Sequence, residues 1–212
     1  MDAEAKKNES DFLIDELLGE GPPQDPLESE HLPAARTHRL SARLRHERVL
    51  KKQALLNIIP EPPALGEAIH VLSDATFDFW TWVPAMLEWV GRTEVFWCST
   101  WTVSRPNVVD LLSLWDAGRI GTVNFLTGLY FKRRETAVYA MLLEGIRMRG
   151  GRYRASRNHA KVLLLEGSDG TRLTVEGSAN LTSNPRTEQY VIVNDPDLHA
   201  WHAKWMEECL TK

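Results

Sequence analysis

Hydrophobic and polar positions along this chain change period repeatedly after Pro60, Pro62 and Pro63. Short apolar runs suited to strands cover 68–72, 94–100, 122–126, 152–156 and 189–193. Between them the apolar residues recur at helical spacing over 79–90, where Pro84 delays the start, over 108–117, where Asn107 is placed to cap, and over 134–149, which ends at Gly150-Gly151. Asp195 is placed to cap a last helix, 197–210, whose Leu198, Trp201, Trp205 and Cys209 form a core-facing stripe. A short helical turn is predicted just after Asn180. The order of helices and strands predicts an α/β fold, a mixed β-sheet flanked by helices on both faces.

The first 60 residues have no such alternation. Residues 1–35 are acidic, broken by Gly21-Pro22-Pro23 and Pro26, and predict a disordered tail. Within it Ser10 can cap a short helix bearing Phe12, Leu13, Leu17 and Leu18, a docking peptide for a protein partner or a transient helix with none. Residues 36–59 reverse the charge: Arg36, Arg39, Arg43, Arg45, Arg48, Lys51 and Lys52 oppose only Glu47. Leu40, Leu44, Leu55 and Ile59 add a weak helical stripe. This basic helix suits phosphate backbones, with Arg43, Arg48, Lys51 and Lys52 as the contacts, or else packs on the domain by its leucines. The acidic tail is also suited to fold onto it and compete with a polyanion. Three segments result: tail 1–35, basic helix 36–59 and a domain at 60–212.

Composition narrows the classes. With 212 residues, 43% of them hydrophobic, the chain can build one sizeable core, and its net charge of −4 excludes a bulk-charge nucleic-acid binder. Cys98 and Cys209 lie in unrelated elements, which fits free thiols in a reducing cytoplasm. The N-terminus lacks a secretory pattern. No stretch reaches the ~18 apolar residues of a membrane span; the tryptophan-rich 77–101 is interrupted by Asp78, Pro84, Glu88, Arg92 and Glu94.

The chemistry concentrates in one hairpin. His159-Ala160-Lys161 precedes Gly167-Ser168-Asp169-Gly170, a turn, and Gly177-Ser178-Ala179-Asn180 follows. With the turn centred on 168–169, paired residues sum to 337, so His159 opposes Ser178. Directly opposed residues share a face with Cβ atoms about 4.5–5.5 Å apart. An imidazole, an ammonium, a hydroxyl and an amide then share one surface, a set suited to an anion with several oxygens such as phosphate. Lys132 and Arg133, after Tyr130-Phe131, are candidates to line a substrate groove, or else mark a solvated helix start.

These motifs resemble those of the phospholipase D superfamily, HxKxxxxD followed by GSxN. The first reads here from His159 to Glu166, with Glu166 in the family's Asp position; the second is Gly177-Ser178-Ala179-Asn180; a later acidic residue is Glu188. By strand parity Glu166 points away from His159 and Lys161, so a structural role at the strand end is expected. The resemblance implies a phospholipase D-like catalytic domain. It also implies a mechanism without metal or other cofactor, in which His159 attacks phosphorus and forms a phosphohistidine. A second histidine protonates the leaving oxygen. Lys161, Ser178 and Asn180 hold the non-bridging oxygens, and Glu188 orients an imidazole. Only one copy of the motif is present, which implies a homodimer with two His159 rings facing each other. The leading expectation is a cytoplasmic phosphodiesterase acting on nucleic acid, more DNA than RNA, as an endonuclease. A lipid phosphodiesterase and a catalytically silent nucleic-acid-binding module are the alternatives; no membrane association is expected.

Overall fold

In a computed structural model the chain is described over residues 34–183 and 185–212, by backbone alone at 34–42 and 44. It divides into two units, Met1–Arg43 and Leu44–Lys212. Of the first, the described part is the opening of α1 (Ala34–Ile58). The expected acidic tail, with its 10–18 segment, lies outside the described residues apart from its last two positions.

In the second unit the rest of α1 is anchored by Leu55 and by Ile59 just beyond its end, both buried. Its cations meet carboxylates of the same unit. Arg48 pairs with Asp110 and donates to Asn107 Oδ1 at 3.0 Å, Lys51 lies 2.7 Å from Asp78, and Lys52 lies 3.0 Å from Glu88.

Seven strands follow: β1 (Ala68–Asp74), β2 (Thr93–Ser99), β3 (Ile120–Gly128), β4 (Arg152–Ser156), β5 (Val162–Gly167), β6 (Arg172–Gly177) and β7 (Thr187–Asn194). They form one sheet in the order β1-β7-β6-β5-β2-β3-β4. β2, β3 and β4 run parallel, and the remaining neighbours are antiparallel. Parallel neighbours need crossovers. These are α3 (Arg105–Asp116) between β2 and β3, and α4 (Leu129–Arg134) with α5 (Thr136–Met148) between β3 and β4. α2 (Trp82–Val90) precedes β2, entered through a 3₁₀ turn, Phe79–Thr81, that Asp78 caps; α6 (Pro196–Thr211) closes the chain.

β5 shows why the sheet is covered twice. Val162, Leu163, Leu164 and Leu165 are all buried, a continuous apolar run that needs a layer on each face. Leu163 and Leu165 join the main core with Phe96, Phe125 and Leu87. Val162 and Leu164 point the other way, into a second cluster with Trp97, Leu126 and Met206 of α6. The expected α/β architecture, with helices on both faces, is the one found.

Four local expectations change. The β5–β6 pairing is Val162↔Glu176 and Leu164↔Thr174, so partners sum to 338, one more than expected. The cause is Gly170 at φ +86°, which adds a bulge residue to the turn: Gly170 N–H donates to the Gly167 carbonyl at 3.1 Å and Gly167 N–H to the Thr171 carbonyl at 2.9 Å. Beyond Asn180 the expected helical turn is replaced by extended chain, where Leu181 bridges Val103 in parallel. The helix expected over 134–149 is interrupted at Glu135, whose φ/ψ of −106°/51° separates α4 from α5. β3 continues to Gly128, past the expected 126.

Candidate functional site

Strand direction decides where the site lies. Because β2, β3 and β4 are parallel, their C-terminal ends share one edge of the sheet. The antiparallel pairings bring the start of β5, the end of β6, the start of β7 and the end of β1 to that same edge. Ligands of open α/β sheets bind outside the carboxyl ends of the parallel strands. Here that edge collects Trp101 after β2, Tyr130 after β3, His159 and Lys161 before β5, Ser178 and Asn180 after β6, and Glu188 in β7.

The one-residue change of register means that strand pairing does not oppose His159 to Ser178. The ladder ends at Val162, and Gly177 N–H donates to the Lys161 carbonyl at 3.2 Å. The segment before it is held by Asn158. Its Nδ2 donates to Ser99 Oγ at 2.8 Å and to the Thr100 carbonyl at 3.4 Å, and its Oδ1 accepts from Ala160 N–H at 3.0 Å. Ser99 Oγ donates in turn to the Ala160 carbonyl at 3.1 Å. A polar loop pinned to the end of β2, rather than a strand, carries the imidazole into place. His159, Lys161 and Ser178 thereby line one groove of about 980 Å³, walled opposite by Trp201, His202 and Trp205 of α6.

The His159 ring is exposed at the groove. Burial of the ring, and then the positive charge of Lys161, hold its pKa below the ordinary 6.5, so the neutral ring is favoured. Lys161 is buried, with Nζ 2.8 Å from His159 Nδ1 and 2.7 Å from the His159 carbonyl oxygen. Burial lowers its pKa, and the negative charge of Glu188 works against that fall. Glu188 accepts a hydrogen bond from Ser178 Oγ, and Ser178 Oγ accepts from Gln189 N–H at 3.1 Å. The contact found for Glu188 is thus the serine of the second motif. Asn180 Oδ1 accepts from Trp101 N–H at 3.3 Å.

Glu166 meets Arg172 at 3.0 Å across the hairpin, the strand-end role its parity predicts. Arg43 is the last residue of the first unit and is exposed. Arg48, Lys51 and Lys52 face the protein's own carboxylates, as described above. Lys132 and Arg133 are exposed on α4, Lys132 with Nζ 5.7 Å from the Tyr139 ring centroid.

Three features escaped the sequence reading. Asn158 adjoins the first motif but is an ordinary polar residue in sequence. Trp101 and Tyr130 stand just past the ends of two parallel strands, and that position was the available signal. His202 is buried beside the groove; its Nδ1 accepts from Trp205 Nε1 at 2.9 Å and its Nε2 lies 3.3 Å from Glu176 Oε1. Burial lowers its pKa, opposed by Glu176.

The groove thus brings together an imidazole, a fixed ammonium and a hydroxyl, groups suited to an oxyanion, while Asn180 braces the Trp101 backbone at the same sheet edge. Among the described residues no helix is long and apolar enough to cross a membrane.

No protein-family model and no curated protein matches the sequence. Solved structures do. A phospholipase D family member, Nuc, from Salmonella typhimurium is 16% identical with a TM-score of 0.50, over 67% of this chain and 92% of that one. Polyphosphate kinase from Porphyromonas gingivalis is 13% identical with a TM-score of 0.49, over 66% of this chain and 25% of that one. A yeast tyrosyl-DNA phosphodiesterase mutant is 12% identical with a TM-score of 0.37, over 59% of this chain and 30% of that one. By its sheet, its two helical layers and its likeness to the Salmonella protein, the chain shares the fold of that phospholipase D family member.

Proposed function

We propose that this protein is a phosphodiesterase that hydrolyses nucleic-acid phosphodiester bonds through a phosphohistidine, acting as a DNA endonuclease. The observation that carries the reading is the meeting of His159, Lys161 and Ser178 in one groove at the carboxyl edge of the parallel strands.

In the resting arrangement Lys161 Nζ sits against His159 Nδ1. An incoming phosphate oxygen competes for that ammonium and frees the ring lone pair to attack phosphorus. A nitrogen–phosphorus bond forms and the bond to the leaving oxygen breaks. Lys161 and the Asn180 amide nitrogen carry the charge on the non-bridging oxygens, joined by the Ser178 hydroxyl once its proton turns from Glu188 to the phosphate. Glu188, through Ser178, sets the direction of that hydroxyl. The leaving oxygen takes its proton from a second ring in its protonated, imidazolium form, which a two-fold dimer supplies as the partner's His159 and which is left as neutral imidazole. That imidazole then takes a proton from water, whose oxygen displaces His159 from phosphorus. No step asks a metal of the protein. Lys132 and Arg133, at the same sheet edge, hold the flanking strand.

The test incubates the full chain and His159→Ala with plasmid, single-stranded DNA, RNA and phosphatidylcholine vesicles in EDTA, with sedimentation to read the oligomeric state. Nucleic-acid cleavage that survives the chelator but not the substitution supports the reading. Activity confined to lipid, binding without turnover, or full activity in a monomer overturns it in that respect.

A further inference from the structure

We propose that Trp101 and Tyr130 form a stacking subsite for an unpaired nucleobase beside the cleaved phosphate, so that the substrate is single-stranded where it is cut. This rests on the nucleic-acid reading of the same groove.

The two rings are stacked on each other, with centroids 4.4 Å apart and planes 22° from parallel. The indole also lies 5.3 Å from the His159 ring, tilted by 46°. Nucleophile, indole and phenol thus form one continuous series leading out of the reactive position. The series ends in a ring that is 38% exposed, an aromatic face open to water at the rim of a polar site.

The arrangement is built, not incidental. Trp101 N–H is held by Asn180 of the second motif, and its carbonyl accepts from Gly128 N–H at 3.1 Å. A Cβ at position 128 would stand 2.3 Å from Trp101 Cδ1, so only glycine lets the indole occupy this place. Residue 128 also ends β3 and leads directly to Tyr130, which couples the two rings through three residues of backbone.

Cations surround the series. Arg134 lies 5.7 Å from the Tyr130 ring centroid, and the exposed Arg157 precedes His159 by two residues. Aromatic faces alternating with cations are the means by which proteins hold single strands: the rings take bases of any sequence, and the cations track the phosphates. In a duplex both faces of each base are already occupied by neighbours, so such a platform selects unpaired bases. Arg134, flexible and exposed, is suited to leave the ring for a phosphate when a base arrives.

The experiment compares a fluorescein-labelled thymidine decamer, the same strand built of abasic residues, and a blunt duplex. Cleavage and anisotropy are both read, with wild type, Tyr130→Leu and Trp101→Phe. Stacking on one aromatic ring is worth about 5- to 150-fold per base. Wild type should favour the thymidine strand over the abasic strand by about tenfold in kcat/KM and in binding. Tyr130→Leu should reduce that preference below about twofold, the thymidine strand losing several-fold more than the abasic strand. Trp101→Phe, which keeps an aromatic face, should retain most of the preference. Equal handling of both strands by wild type, equal losses on both in Tyr130→Leu, or a weakened dimer with the preference intact overturns the subsite. If no strand is cleaved, the hydrolytic reading fails by itself; anisotropy still decides the subsite, a thymidine preference supporting it and equal binding overturning it.

Discussion

Asn158→Ala should damage catalysis more than stability. The side chain makes two well-formed hydrogen bonds, at 2.8 Å to Ser99 Oγ and 3.0 Å from Ala160 N–H, with a long third at 3.4 Å. At about 0.5–1.5 kcal/mol each, the two short ones contribute about 1–3 kcal/mol. That energy holds a loop with no strand pairing of its own, and the loop's only task is to place His159 and Lys161. Loosening it leaves both cores untouched, since neither contains a residue of 157–161. If the whole amount falls on the loop's productive conformation, kcat drops about 5- to 150-fold at ~1.4 kcal/mol per tenfold. If it falls on global unfolding, Tm drops by about 2–4 °C per kcal/mol for a unit of this size. The assay is therefore paired: kcat and KM on a single-stranded oligonucleotide, and thermal unfolding of the same preparation. We expect kcat to fall at least fivefold, KM to change little, and Tm to fall by under about 3 °C. Ser99→Ala should be non-additive with it, because Ser99 Oγ joins Asn158 to the Ala160 carbonyl. A kcat within twofold of wild type, accompanied by a full loss in Tm, would refute the assignment of Asn158 as the residue that positions the nucleophile.

Three further outcomes follow from the electrostatics. Burial, and then Lys161, depress the His159 pKa, so the active neutral ring persists as pH falls below 6.5 and is lost on passing the lowered value; Lys161→Met should move the acid limb of kcat/KM to higher pH, and an unmoved or lowered limb would contradict this. Glu166→Ala removes a half-buried pair with Arg172 worth about 1 kcal/mol and should leave kcat within twofold, as expected of a structural role for this position. Burial brings the His199 pKa down to about 4, with Glu166 opposing and Arg172 and His202 assisting. The unfolded chain therefore binds a proton first as pH falls from 6.5 to about 4, and stability declines across that window by about 3 kcal/mol at ~1.4 kcal/mol per pH unit; urea unfolding of His199→Met should show a flatter acid decline.

Legibility in the sequence followed the range of the interactions. Strands and helices came from local periodicity: β5 is a run of buried Val and Leu, and α6 begins where Asp195 caps it through Asp197 and Leu198 N–H. The motif residues stood out because their types and spacing suit oxyanion chemistry, and the fold brings His159, Lys161 and Ser178 to one groove. What failed was geometry set by single residues. Gly170 fits a two-residue turn and a bulged turn equally well in sequence; its positive φ selects the latter and displaces every cross-strand partner by one. For Arg48, Lys51 and Lys52 the sequence left phosphate contact and packing on the domain both open, because Asp110, Asp78 and Glu88, which they meet, are between 27 and 62 positions away. Trp101 and Tyr130 were invisible as a pair for the same reason: only the parallel alignment of β2 and β3 brings them together.

The tip of the β5–β6 hairpin, Ser168 to Gly170, lies at the opposite edge of the sheet from every group assigned a chemical task. The candidate site thus gathers at one edge of the sheet, while the other edge has here only to turn the chain around. A reporter domain or affinity handle spliced into that tip would be tethered a full strand-length from the groove, which makes it the natural port for immobilising or tracking this protein in working form.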